Sequence, residues 1–568
     1  MKKTLRFVAM ASALVAFSSA QAQCPSGQTQ VSVSILLDNY PAETTWSLGV
    51  AGCGAPLASG GPYTAANSTQ TGNACVADGA AVVFTINDSY GDGICCGFGN
   101  GSYTVTANGS TVATGGDFDF TESTYFQTIP AVALDLAPLS LGVASVVAQG
   151  NVSITGTVRN MGTTAITGFT LSYSIDGGAP VSAPITAAVA ANSNYTFTHP
   201  TPWNATVGEH TVTISVSAPN GGTDGNAVNN EITCSVNVAS QTVQRRALME
   251  QFTSSTCPPC ASLETSWGTP TFAPANPNAP SSNIAAIKYH LNFPSPGNDP
   301  SYNPDAATRR TYYGVNGIPS RFMDGVNFNN NTAAFLTNAA ARPAFVDVAV
   351  SYTVSGFSLT ANVTVTPYAT FPGAHKLFIG VLEDTYNYAA STTSQDVFKY
   401  VMRKMMPNGG GITLANLVAG EPQTFTQSYT FAGPPVVQGG YNLWTTLDNS
   451  SLLAFVQNTA TKDVLQSNVV NIVAPVGIDE ANALDRRLTL FPNPTDGLMN
   501  LSFDLPSATS VRFQVLDLAG QEVMVANRGF GSGEQRHDLD LSALANGSYM
   551  VVVTADGLTA TRKVTVSK

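Results

Sequence analysis

Apolar residues recur at every second position in short runs along nearly the whole of this chain. Val31, Val33 and Ile35 alternate in this way, as do Val82, Phe84 and Ile86, and then Tyr103 and Val105. Farther on come Val152, Ile154 and Val158, then Leu171, Tyr173 and Ile175, then Val212, Ile214 and Val216. The pattern returns at Val346, Val348 and Val350, at Leu359, Ala361 and Val363, at Leu377, Ile379 and Val381, and at Leu453 and Phe455. Successive side chains of a strand point to opposite faces, so this period buries one face of a sheet and wets the other. Turn signals such as Asn160-Met161-Gly162, Asp176-Gly177-Gly178 and Asn220-Gly221-Gly222 separate the runs, as antiparallel sandwiches require. The fold class is therefore mostly β. A chain of 568 residues is too long for one core and implies roughly four or five domains.

Charged residues make up only 11% of the chain, and the formal net charge is −12. Phosphate binding needs a basic surface and no basic patch stands out, so nucleic acid is excluded as a partner. Lys2, Lys3 and Arg6 form a positive n-region, Phe7 to Phe17 an apolar h-region, and Ala20-Gln21-Ala22 a small-x-small cleavage site. Residues 1–22 read as a signal peptide, with Gln23 as the mature N-terminus. Cys24 follows Gln23, where a lipoprotein site would have a small residue. No later run reaches the ~18 apolar residues of a membrane helix. The protein is expected to be exported, without a transmembrane span.

Eight cysteines in such a compartment should mostly be oxidised. Cys24, Cys53, Cys75, Cys95 and Cys96 lie early; five is odd, so at least one is free or pairs outside its domain. Connectivity does not follow from the sequence. Cys234 reads as a small buried hydrophobe. Cys257-Pro258-Pro259-Cys260 is different, because an apolar run (Ala247-Leu248-Met249, Phe252) leads into it and Ala261, Leu263 and Trp267 follow at helical spacing. A dithiol at a strand-to-helix junction meets unpaired helix N–H groups, which favour the thiolate. Prolines are tolerated there because the first turn has no N–H bonds to lose. Cys257 would be the exposed attacking thiol, and the more buried Cys260 would resolve the mixed disulfide. The other reading is a permanently oxidised structural bridge. A metal site would have only two ligands here. The five histidines show no zinc spacing, and neither a Gly-x-Ser-x-Gly elbow nor a phosphate loop is present. His290 could lie near the dithiol or be a plain surface residue.

Six segments follow: the signal peptide (1–22), a disulfide-containing β-module (24–130), an immunoglobulin-type sandwich (132–239), the dithiol region (241–342), a β-sandwich (343–475) and a C-terminal domain (488–568). In the first module Asp88 and Asp92, with Gly91 and Gly93, could offer hard oxygen ligands to calcium. The distal glutamate of an EF-hand is missing, and the competing reading is a Gly/Asp turn pinned by a disulfide. No other cofactor is implied. Arg403, Lys404, Met405 and Met406 interrupt the later β pattern and read as a loop face with core methionines.

Several segments resemble known families. Asp88-Ser89-Tyr90-Gly91-Asp92-Gly93-Ile94-Cys95-Cys96 is similar to an accessory β-module of exported bacterial surface proteins and peptidases. The strands of 132–239, closing at Asn229-Asn230-Glu231, are similar to CARDB-type adhesion modules. In 241–342 the order strand, Cys-x-x-Cys, helix, strand ending at His290, helix after Pro304, then Gly317-Ile318-Pro319 resembles the thioredoxin-like part of the Omp-twenty-eight-related outer-membrane family. That resemblance implies an α/β thioredoxin-like domain between β-sandwich modules, with Pro319 as the cis-proline facing Cys257 and Cys260, and a disulfide-containing protein as substrate. Leu490-Phe491-Pro492-Asn493-Pro494-Thr495-Asp496-Gly497, Val515-Leu516-Asp517-Leu518-Ala519-Gly520 and the closing Lys563-Val564-Thr565-Val566 resemble the type A C-terminal sorting domain of the type IX secretion system. This implies a small β-sandwich that directs the chain across the outer membrane, the secretion machinery as partner, and a surface or secreted location.

Overall fold

The computed structural model describes residues 24–568 apart from 390, 432–436, 439–440, 443–446, 474–483, 485–487, 506 and 556–557. The expected signal peptide and Gln23 lie outside the described residues. Two four-stranded sheets build the first module. One runs Thr69–Ala77, Gln28–Leu36, Ser102–Ala107, Ser110–Gly115, and the other Ala58–Gly60, Thr44–Val50, Ala81–Asp88, Thr121–Gln127. The alternating residues meet between them, with Val31, Val33, Ile35, Phe84, Ile86 and Tyr103 nearly or fully buried. Residues 132–239 repeat the scheme. Leu136, Val158, Leu171, Phe197 and Ile214 share the core of that second sandwich.

Cys24 bonds to Cys75 within the first module, and Cys53 reaches out to Cys234 in the second. The odd early cysteine thus pairs outside its domain. Cys234 corrects the reading of a buried thiol: it is buried, but as half of this bridge. The two modules also meet at an apolar seam of Ala81, Ala137, Leu139 and Met161.

The dithiol region opens with β1 (Ala247–Thr253), followed by α1 (Pro258–Leu263), π-helical turns to Phe272, β2 (Ile284–His290) and α2 (Pro304–Tyr313). Next come β3 (Ser320–Met323), β4 (Val326–Asn327) and α3 (Ala333–Ala341). β1 and β2 run parallel, while β3 lies antiparallel on the other side of β1 and β4 pairs with β3. Every residue of β1 and β2 is buried, as expected of parallel strands covered on both faces.

The same sheet continues past the line drawn from sequence at 342/343. β2 pairs in parallel with the sandwich strand Val397–Met406 through Lys288 and Val401. That strand pairs with β5 (His375–Asn387), and Ser450–Asn458 and Val464–Ile472 complete the row. With the short strand Ile412–Thr413 beside β5, one nine-stranded sheet results. A three-stranded sheet (Val346–Ser355, Ser358–Pro367, Gln423–Thr430) covers its sandwich end through Val363, Ile379 and Leu452. Residues 403–406 belong to a strand, correcting the loop reading: Met405 and Met406 are buried in cores on opposite sides of it. Arg403 donates to Glu383 and Lys404 to Asp305, so acids do accompany these cations.

A buried ion pair anchors this junction. Arg309 of α2 donates to Glu250 of β1 at 2.6 Å, and both side chains are fully buried. Tyr289 of β2 donates to Glu250 at 2.8 Å, and Tyr313 donates to its other oxygen. Gln457, from the sandwich, accepts from Arg309 at 3.1 Å and donates to Tyr313 at 2.7 Å. Burial pushes both phenols well above their ordinary range, and the Glu250 carboxylate beside them adds to it. Nearby, Gly325 (φ +88°) lies so close to the Lys462 carbonyl that any side chain would collide with it.

The C-terminal region forms a further small sandwich of a three-stranded and a four-stranded sheet, with Leu501, Phe503, Phe513, Val551 and Val553 in its core. Removing one member of a buried ion pair strands the other charge in low dielectric. Glu250→Gln should therefore destabilise the central body by about 3–5 kcal/mol, as for other broken buried pairs. Urea unfolding followed by tryptophan fluorescence checks this, since Trp267 is buried in the same body.

Candidate functional site

β1 delivers the chain to the dithiol. Cys257 caps α1 in an extended conformation, with Pro258 as first helical residue, and Cys257 and Cys260 are joined as a disulfide. The Cys260 N–H points at Cys257 Sγ, 3.2 Å away. In the reduced protein that donor would stabilise a Cys257 thiolate. The carbonyl of Ile318 lies 3.8 Å from Cys257 Sγ, and the Ile318–Pro319 bond is cis. The structure therefore brings Cys257, Cys260 and the Ile318-Pro319 turn together.

Exposure differs from the expectation. Cys257 and Cys260 are equally buried, each at 1% exposure, whereas Pro258 and Pro259 face solvent. Two segments hold the 254–256 loop, which leads into the dithiol, in place. Thr256 Oγ1 donates to the Pro294 carbonyl at 3.0 Å, and Ser391 Oγ, from the sandwich, donates to the Ser255 carbonyl at 2.8 Å. His290 is not on the surface. It is fully buried, and its Nδ1 lies 2.8 Å from Asp299 Oδ2. Asp299 also accepts the backbone N–H groups of Ser255 at 2.6 Å and Ser301 at 2.8 Å. Burial alone would raise the Asp299 carboxyl, but His290 and these N–H donors outweigh it and hold it at about 2. No spacing in the sequence marks Asp299, which sits in the Pro/Asn-rich loop. Only the fold shows that it ties β2 to the loop preceding Cys257.

At the first module, Asp88 is 2% exposed and accepts N–H groups from Tyr90, Gly91 and Asp92. Carboxylate oxygens of Glu43, Asp88 and Asp92 lie within 4.8 Å of one another. Glu43 escapes a sequence reading because it is far from Asp88 along the chain. The pairing of Thr44 with Asp88 brings it there. Desolvation first, then the neighbouring Asp88, raises the Glu43 and Asp92 carboxyls. Cys95 and Cys96 bond to each other, so the expected disulfide pin does not tie this turn to another strand. Asp88 itself organises the turn.

Residues 489–567 match the family model of the secretion system C-terminal sorting domain. The protein is exported to the cell surface or secreted. Residues 133–234 match the CARDB family. No curated protein matches the chain. Among solved structures, it is similar to the CARDB domain of a Pyrococcus furiosus protein in complex with di-metal ions (19% identity, 19% of this chain and 97% of that one, TM-score 0.17). It is also similar to a domain of the outer membrane lipoprotein Omp28 from Porphyromonas gingivalis (15% identity, 23% and 90%, TM-score 0.16). A tetra-tandem repeat of a large adhesion protein is a third (14% identity, 95% and 92%, TM-score 0.21). These structural likenesses are slight, and no functional statement rests on them. Among the described residues no helix of the exported chain is long and apolar enough to cross a membrane.

The Asp299 carboxyl predicts acid behaviour around the dithiol. Its folded value, about 2, lies below the ordinary 3.8, so its contribution is complete above the ordinary value and fades as pH falls toward about 2. Asp299→Asn should remove that acid-sensitive component and loosen the 254–256 loop at neutral pH. Hydrogen exchange of the Ser255 amide, measured from pH 5 to pH 2.5, checks both.

Proposed function

We propose that this exported modular protein exchanges disulfides through Cys257 and Cys260, on a central unit that is thioredoxin-like. The observation that carries the reading is the Cys260 N–H aimed at Cys257 Sγ at the end of β1. The strand order β2-β1-β3-β4, with β1 and β2 parallel and the cis Ile318–Pro319 turn beside Cys257, supports it. In the reducing direction the Cys257 thiolate attacks one sulfur of a substrate disulfide and expels the other as thiolate. Cys260 then attacks Cys257 Sγ, re-forming the protein disulfide and releasing the second substrate thiolate. Two electrons pass from the protein dithiol to the substrate, and the reverse sequence oxidises a substrate dithiol. The partner is a disulfide-containing or dithiol-containing protein. Type IX secretion machinery is a second partner, engaged by the sorting domain.

The burial of both sulfurs favours a second reading, in which the pair is a structural bridge in a non-enzymatic surface protein. Exchange requires the buried sulfurs to become accessible, and loosening the 254–256 segment that Pro294 and Ser391 hold is one route to it.

Cys260→Ala decides between them. On the redox reading it accumulates mixed disulfides through Cys257, seen by mass spectrometry, while Cys257→Ala traps none and loses insulin reduction. Ser391→Ala, which frees the Ser255 carbonyl, should speed trapping several-fold. Absence of trapping in Cys260→Ala, together with no disulfide reduction or oxidation by the unmodified protein, assigns the pair to structure.

A further inference from the structure

The first module holds a small cavity remote in character from the dithiol. Its volume is about 210 Å³, and Tyr40, Glu43, Tyr90, Asp92 and Phe98 line it. The three rings are left open to solvent: Tyr40 is 50% exposed, Tyr90 70% and Phe98 51%. Tyr40 and Phe98 stand at 81° with centroids 5.7 Å apart, forming two walls of a corner. Rings so exposed gain little from the module's own core, and three of them at one cavity present π faces in need of a partner.

Backbone contacts fix this arrangement. The Asn39 N–H donates to the Phe98 carbonyl, the Ser89 N–H to the Glu43 carbonyl, and Asp88 gathers the N–H groups that place Tyr90 and Asp92. Three loops are thereby locked around one opening. The charge at that opening is uncompensated. Residues 24–130 contain eight acidic residues and no Lys, Arg or His, so the module supplies no cation of its own.

We propose that this cavity binds a quaternary ammonium group of a small choline-type molecule. Ring faces attract a weakly hydrated organic cation, and adjacent carboxylates add to the attraction. The volume suits one such headgroup. A calcium ion would want six to eight oxygen ligands. Asp88 accepts three backbone N–H groups and does not line the cavity, so Glu43 and Asp92 are the carboxylates facing it. A neutral apolar ligand would use the rings but leave the two acids desolvated and unpaired.

Titration of the full secreted chain with choline chloride, followed by calorimetry or by tyrosine fluorescence, tests this. Cation–π contacts at exposed rings are individually weak, so binding is expected in the millimolar range. The neutral isostere 3,3-dimethylbutanol should bind at least tenfold more weakly. Tyr90→Leu keeps apolar bulk but removes a ring face and should weaken choline at least threefold, as should Glu43→Gln. Unchanged melting of these two variants shows that the loops still fold. Equal binding of the neutral isostere overturns the proposal in favour of a plain apolar pocket. Calcium that displaces choline, with binding lost in Asp88→Ala, overturns it in favour of a metal site. Choline binding left unchanged in both Tyr90→Leu and Glu43→Gln, or no binding at tens of millimolar, overturns it outright.

Discussion

Glu250 and Arg309 hold the centre of this molecule together. Burying two opposite charges is costly, and the cost is offset only to the extent that the remaining oxygens and protons find partners. Here Tyr289 and Tyr313 satisfy the carboxylate and Gln457 bonds the guanidinium, whose Nε and Nη1 are left without hydrogen-bond partners among aromatic rings. The guanidinium also lies over the Phe378 ring, 4.2 Å from its centroid. These residues come from two strands and a helix of the dithiol region and from two strands of the sandwich. None can shift without exposing a charge to a poor environment. The strand ending at the disulfide is therefore fixed by the same contacts that fix the sandwich, and the two halves share one core.

This sharing explains both what the sequence revealed and what it hid. The alternation of Val31 through Val105, or of Val346 through Phe455, is local, so strand faces could be read residue by residue. The Cys257-to-Cys260 spacing and its apolar lead-in are local too, and the strand-to-helix junction was legible for that reason. Which strand lies beside which is not local. The sheet crosses from the dithiol region to the sandwich through the register of Lys288 with Val401, and no pattern in either segment announces it.

The burial of Cys257 was missed for a related reason. Helix spacing says which thiol comes first, but exposure is set by the tertiary packing around the site, where Pro294 and Ser391 arrive from distant loops to hold the 254–256 segment. The burial of His290 was not legible because its partner Asp299 lies in a loop without regular period. Residues 403–406 looked like a loop because two cations break the apolar alternation. In the fold those cations are answered by Glu383 and Asp305, from elements that sequence alone does not bring near. At the first module, Glu43 joins Asp88 and Asp92 only because its neighbour Thr44 pairs with Asp88.

The bridge from Cys53 to Cys234 has a mechanical meaning. It joins points separated by 181 positions in sequence. Tension applied to the chain before Cys53 and resisted after Cys234 passes through the sulfur bond, so the residues between them, most of the first module and nearly all of the CARDB-matching sandwich, lie outside the load path. Reduction would place both in series with the load. Once unfolded, a stretch of that length could pay out roughly 600 Å of extended chain. The oxidised bridge thus sets how far a tethered copy of this protein can stretch.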